Sequence, residues 1–322
     1  MTRVGVIVNP LSRHNRDGGF DPAAAGFRDL PHARPRTPAE LRDTLAEFRR
    51  REVRVVAVSG GDGTLREVLT ALPQAYGGEE PDIALLPAGK INLAARVVSR
   101  VGGRFGDGPA ALRRLIDAAR GRTLARVEWP VLEIAWRDEP ERRLRGFLFG
   151  AAAFAAGTRL AYSHVHRAGF NDAAAVALSI AATAGTALFG RQRRALLAGE
   201  DMTVGVDGTP PRAGRHFLTL ATTLDRLVLN LTPFWGAGEG AIRWLDIAAP
   251  PRRLAAALLP VLRGRPRPWM PAAGYASDRA RELSIDLAHP FVVDGELFAP
   301  GLGGILLSAD RRVGFVQPMG GP

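Results

Sequence analysis

Val55-Val56-Ala57-Val58-Ser59-Gly60-Gly61-Asp62-Gly63-Thr64-Leu65-Arg66-Glu67-Val68 is the stretch whose reading decides the fold. A β-branched apolar run ends in a glycine-rich turn, and a helix is predicted from about Leu65. Glycines let a backbone approach an anion closely, and the free amides at a helix start point toward it. Asp62 adds a carboxylate, which a bare phosphate cradle does not need and which commonly works through Mg²⁺. The alternative is a tight strand-to-helix turn in which Asp62 caps the helix. The position of GGDGT at the end of a buried strand favours the phosphate turn.

Working outward, residues 3–10 read as a first strand ending at Asn9-Pro10, and Leu11 to Arg36 as a loop with little regular structure. Pro38 to Arg51 is predicted helical, with Leu41, Leu45 and Phe48 on one face and Thr37 as N-cap. After the strand 53–58 and a helix 65–72, Gln74 to Asp82 reads as a loop. Ile83 to Pro87 is a buried strand, followed by Ala88-Gly89-Lys90-Ile91-Asn92, a helix from Leu93 and another from Pro109 to Arg120. This rhythm predicts an α/β fold with a doubly wound parallel sheet, whose ligands sit at the carboxyl ends of the strands. Asn9-Pro10 and both glycine turns fall there, which predicts one nucleotide site.

Near residue 125 the pattern changes. Val127–Trp136, Phe147–Phe154, Met202–Val206, Phe217–Leu224 and Ile285–Val293 read as strands without regular crossover helices. The expected organisation is a nucleotide-binding domain over 1–124, a mainly antiparallel β domain over 125–302, and a tail, 303–322, returning to the first domain.

The 322 residues include 46% hydrophobic residues, enough for a full core, and no cysteine, which excludes disulfides and thiolate metal sites. The formal charge of +11 draws the chain to polyanions, with arginines clustered at 49–51, 142–145, 191–194, 252–253 and 263–267. Few aromatics and no basic helix speak against nucleic acid as the partner. Ala173 to Gly190 is too short and weakly apolar for a membrane span. With no signal-peptide pattern at the N-terminus, the expectation is a cytoplasmic protein. His164 and His166 form an H-x-H without a third ligand nearby, which reads as surface or packing histidines.

GGDGT resembles the signature of the diacylglycerol kinase and sphingosine kinase superfamily, shared in related form by NAD kinases and phosphofructokinases. Asn9-Pro10 matches the Asn-Pro closing that superfamily's first strand. Ser12 keeps a family serine, whereas Arg13 replaces the glycine after it. Thr37 falls at a nucleotide-contacting threonine, and Glu67 lies in the helix after the signature. Pro87-Ala88-Gly89-Lys90-Ile91-Asn92 resembles Pro-x-Gly-Thr-x-Asn, with Lys90, the only lysine, in place of threonine and Leu93 in place of a frequent Asp. Asp294-Gly295-Glu296 matches the Asp-Gly-Glu that carries the catalytic acidic pair.

The resemblance implies ATP held by Asn9, Thr37, Gly60, Gly61, Asp62, Gly63, Thr64, Glu67, Gly89, Lys90 and Asn92. It implies Mg²⁺ at Asp62 and a proton acceptor in the pair Asp294 and Glu296. The γ-phosphate would pass to a lipid hydroxyl such as that of diacylglycerol, at an anionic membrane surface that holds the enzyme peripherally. Phe147, Phe149, Phe154, Phe170 and Phe189 would offer apolar surface to the lipid chains. Members of this two-domain type often pair, so a homodimer is a further implication. A structural Mg²⁺ site known in some members would fall at Ala237–Ala241 or Leu245–Ile247, and neither reproduces its acidic loop. Two other readings stay open: an NAD kinase-type enzyme, whose Asn-Glu motif is missing at Asn92-Leu93, and a degenerate sensor, suggested by Lys90 and Leu93.

Overall fold

A computed structural model describes residues 3–10, 12, 15, 20–87, 108–159, 193–227 and 230–319. The Gly89-Lys90-Asn92 turn, the helix expected from Leu93, His164, His166, Phe170, Phe189 and the segment 173–190 lie outside these residues. The chain divides into two compact units, Met1–Trp129 with Arg312–Pro322, and Pro130–Arg311.

In the first unit, strands β1 (Arg3–Val8), β2 (His32–Ala33), β3 (Val53–Gly60), β4 (Asp82–Pro87) and β5 (Leu124–Pro130) share a sheet with the chain's last strand, Arg312–Pro318. The order is β2-β1-β3-β4-last strand-β5, and β1–β2, β1–β3, β3–β4 and β4–last strand are parallel pairs. Six consecutive residues of β3, Val55 to Gly60, are buried, as befits a central strand covered on both faces. Helix α1 (Pro38–Arg50) starts at N-cap Thr37, with proline in its first turn, and buries Leu41, Leu45 and Phe48. The Phe48 ring lies against Gly5, where a Cβ would come within 2.7 Å, so only glycine lets α1 sit this close to β1. Helix α2 (Asp62–Tyr76) packs beside α1. On the opposite face, α3 (Gly108–Gly121) buries Leu112, Leu115 and Ile116 against Val4, Val6, Val55, Ala57 and Val316. Each leucine so covered contributes about 2 kcal/mol.

From β1 the chain runs outward to β2 and then returns to the other side of β1 as β3. The reversal of strand order falls between β1 and β3, which is where doubly wound sheets bind ligands. Asn9 directly follows the first of those strands, and Gly60 ends the second.

The second unit is a large antiparallel, curled sheet. Its strands are β6 (Leu132–Trp136), β7 (Arg143–Gly146), β8 (Leu148–Ala152), β9 (Glu200–Val206), β10 (Arg212–Thr222), β11 (Ile242–Ala248), β12 (Tyr275–Ala280), β13 (Glu282–Leu287), β14 (Phe291–Val293), β15 (Glu296–Phe298) and β16 (Ile305–Ser308). They run in the order β15-β14-β8-β10-β9-β13-β16-β6-β7, with β11 on β10 and β12 on β11. One core gathers Ile134, Trp136, Phe149, Phe291 and Ile305. A second gathers Phe154, Phe217, Leu245, Ile247 and Tyr275. Helix α4 (Arg193–Ala198) precedes β9, and α5 (Leu254–Leu262) lies between β11 and β12.

Several elements differ from the sequence expectations. Val127–Trp136 is two strands in two sheets, because the chain breaks at Pro130-Val131; it leaves the first unit after Trp129, five residues past the expected boundary. It re-enters at Arg312, the segment from 303 still supplying β16 to the second sheet. Ile285–Val293 splits into β13 and β14, and residues 153–159 are helical. α2 begins at Asp62 and runs through Pro73 to Tyr76, into the segment expected to be loop.

Candidate active site

The turn between β3 and α2 holds the first group of candidates. Gly61 is the N-cap of α2, extended in backbone and without a side-chain cap, and Asp62 is the first helical residue. Asp62 is therefore no capping residue, and its half-buried carboxylate stands in the first turn, where the helix amides favour negative charge in a ligand. Gly60 answers to a close approach: a Cβ there would stand 2.5 Å from Thr64 Oγ1. Val58, Gly60, Gly61, Asp62, Leu65, Leu85 and Leu86 line a small cleft at the carboxyl ends of β3 and β4.

Asn9 joins this turn from β1. Its Nδ2 donates to Thr64 Oγ1 at 2.7 Å, and its backbone N–H donates to Ser59 O at 2.9 Å. Behind it sits Asn15, 7% exposed, which sequence reasoning missed. Asn15 Nδ2 donates to Asn9 O at 2.8 Å and to Ser59 O and Oγ at 3.3 and 3.4 Å. Ser12 Oγ donates to the same Asn9 carbonyl at 3.1 Å. The reversed amide would set Asn15 Oδ1 against three oxygens, so the donor side must face this junction. No motif signals Asn15; only the folded loop brings it to β3. Because Thr64 Oγ1 accepts from Asn9, its own proton is left to donate in another direction.

Thr37 and Glu67 are placed differently. Thr37 caps α1, its Oγ1 accepting the Glu40 N–H at 3.2 Å, which leaves the hydroxyl proton to donate. Glu67 is exposed on α2, and neither residue lines the cleft.

In the second unit, Asp294-Gly295 is the two-residue turn of the β14–β15 hairpin, with Val293 paired to Glu296. Both turn residues have positive φ, 47° and 91°, the geometry that Asp-Gly favours. Beyond closing the turn, the Asp294 side chain is held in place by backbone amides. Its Oδ1 accepts from the N–H of Phe147 (3.1 Å) and Leu148 (2.8 Å), and its Oδ2 from Phe147 (3.0 Å). The Asp294 N–H donates to Leu148 O at 2.9 Å. Gly146 makes room, since a Cβ there would stand 2.6 Å from Asp294 Oδ2. The preceding residue, Arg145, is buried and ion-paired to Glu133 at 3.1 Å, as Arg143 is at 2.5 Å. Burial pushes the Glu133 carboxyl up, and hydrogen bonds from Arg143 and Arg145 outweigh it, leaving Glu133 below its ordinary value. Glu296 is exposed at the start of β15.

Phe147, Phe149 and Phe154 are almost wholly buried, at 4%, 0% and 4% exposed. They build the unit's interior rather than a surface for acyl chains. Asp246 accepts from His216 Nδ1 (2.8 Å) and Thr219 Oγ1 (2.6 Å), and Glu239 pairs with Arg281. Among the described residues, no three His, Cys, Asp or Glu side chains are grouped as a metal cage.

The family described as the diacylglycerol kinase catalytic domain matches residues 3–123. None of the curated proteins matches. Among solved structures, a diacylglycerol kinase from Bacillus anthracis str. Sterne superposes with a TM-score of 0.58 at 14% identity, covering 98% of this chain and 96% of that one. A second structure from the same organism, assigned as a diacylglycerol kinase, gives 0.61 at 14% identity over 98% and 97%. At such identity the likeness is one of fold. Residues 3–123 are therefore similar to a diacylglycerol kinase catalytic domain, and the chain shares the fold of these two structures.

Proposed function

We propose that the protein is a lipid kinase that transfers the γ-phosphate of Mg²⁺-ATP to a lipid hydroxyl such as that of diacylglycerol. The observation that carries this reading is the β3–α2 turn, a glycine-lined helix start with a carboxylate in its first turn, inside the matched catalytic domain. In this reading the α2 amides and the Thr64 hydroxyl hold phosphate oxygens, and Asn9 orients that hydroxyl. Mg²⁺ bound with a nucleotide takes one or two protein carboxylates besides phosphate oxygens and water, a donor set that Asp62 fits. When bound, the ion neutralises charge on the transferred group. The acceptor hydroxyl gives its proton to a carboxylate of the Asp294 and Glu296 pair as its oxygen bonds phosphorus and the bond to ADP breaks. The backbone amides of Phe147 and Leu148 keep Asp294 in one orientation for that task.

The test offers γ-labelled ATP and Mg²⁺ with a total bacterial lipid extract or, separately, NAD⁺. Label in the organic phase is the expected result, and its mobility names the acceptor. Label on NAD⁺ alone would move the protein to the soluble-substrate branch.

A further inference from the structure

Helix α5, Leu254-Ala255-Ala256-Ala257-Leu258-Leu259-Pro260-Val261-Leu262, contains no polar side chain, yet only Ala257 and Val261 are buried. Surface helices turn one apolar stripe to the core and polar residues to water. Here the stripe opposite the core is apolar as well: Ala255, Ala256 and Leu259 are exposed, Leu259 by 53%, and Leu258 and Leu262 are half-exposed. Leu259 is thus one of the few large hydrophobic residues left open to solvent among the described residues.

The flanks of the helix carry charge of one sign. Arg252 and Arg253 precede it, and Arg263, Arg265 and Arg267 follow, all five exposed. From Ile247 to Ser277 the sequence has no Asp or Glu. None of the five guanidinium groups is ion-paired to a carboxylate of the described residues. Half-buried Trp269 stands beside them, with Arg253 over its ring at 5.4 Å. An apolar stripe rimmed by uncompensated arginines and an indole matches the two layers of an anionic bilayer surface, acyl boundary and headgroups.

We infer that α5 and its arginine flanks are a docking surface for anionic phospholipid membrane. A neutral protein groove would match the leucines and leave five arginines without partners. A nucleic acid would match the arginines and leave the leucines in water. The inference extends the lipid-acceptor reading, and rests on it only for the purpose of docking.

The experiment is flotation of the full-length protein with phosphatidylcholine vesicles, with and without phosphatidylglycerol, over a range of salt. The expected result is binding to the anionic vesicles alone, weakening as salt rises. Arg263→Gln, Arg265→Gln and Arg267→Gln should each lower partitioning by about fivefold, and about a hundredfold together. Leu259→Gln with Ala255→Gln should lower it by about tenfold, with melting unchanged because both positions are exposed. Equal binding to neutral vesicles, or anionic binding that none of these variants alters, overturns the inference. So does salt-sensitive binding to duplex DNA that competes with vesicles and ignores the Leu259 variant. Turnover of short-chain diacylglycerol in detergent micelles separates the two proposals. Wild-type protein that binds vesicles without transferring phosphate keeps the docking surface and removes the kinase reading; transfer without vesicle binding does the reverse.

Discussion

Asp294 closes a hairpin with a positive φ and carries the carboxylate that Phe147 and Leu148 grip through their amides. Replacing it by alanine strands those two N–H groups and costs about 1–3 kcal/mol for each, so lost activity in that variant would be confounded with a loosened hairpin. Asp294→Asn is the cleaner change, since asparagine tolerates the left-handed backbone and keeps one accepting oxygen. It is expected to lower turnover by about a hundredfold or more with little change in melting temperature, read by the labelled-phosphate assay and a thermal melt. Turnover near wild type in the folded variant would take Asp294 out of the proton-accepting pair. Gly146→Ala approaches the same carboxylate from the other side: its Cβ would displace Oδ2, and activity should fall while Asp294 itself is intact. The acid turn was legible because Asp-Gly-Glu is contiguous. Asn15 was not, because its meaning lies in an oxygen cluster formed by residues 6 and 44 positions away.

Among elements, α1 shows what local sequence can reveal. Its cap, its proline and its apolar spacing are all neighbours in the chain, and the structure has each in the expected place. Thr37→Ala should destabilise the first unit by about 1 kcal/mol, measured as a lowered denaturant midpoint with an unchanged slope. The strands resisted such reading. Nothing in composition marks the crossing from β5 to β6 at Pro130-Val131, because sheet membership is decided by distant partners. β7 illustrates the same dependence, being tied to β6 by the Arg143–Glu133–Arg145 cluster. Glu133 lies below its ordinary value in the fold, so its contribution is present above about pH 4.3 and fades as pH falls through the folded value. Melting temperatures of wild type and Glu133→Gln should therefore differ near neutrality and converge in acid. A constant difference across that range would remove the ion pairs as the cause.

At the scale of the whole molecule, the parallel sheet closes only when Arg312–Pro318, β17, enters between β4 and β5. Phe315 is buried there and pairs in register with Ile83 of β4. Deleting residues 312–322 is expected to abolish ATP binding and expose the first unit to protease, while the second unit, which contributes no residue to that deletion, keeps its protected core. Calorimetry of nucleotide binding and limited proteolysis would check both halves of this expectation. The two-sheet plan was visible in the rhythm of the chain, and the returning strand was visible as an apolar tail; its insertion between two earlier strands was not.

That insertion also sets a timetable. A ribosome delivers β1 to β5 first and β17 last, with the whole second unit made in between. The nascent first unit thus waits, with β4 and β5 missing their shared neighbour, until the whole second unit has been made. Premature termination within the second unit would release an unfinished sheet with open edges, a substrate for chaperones and proteases rather than a folded first unit.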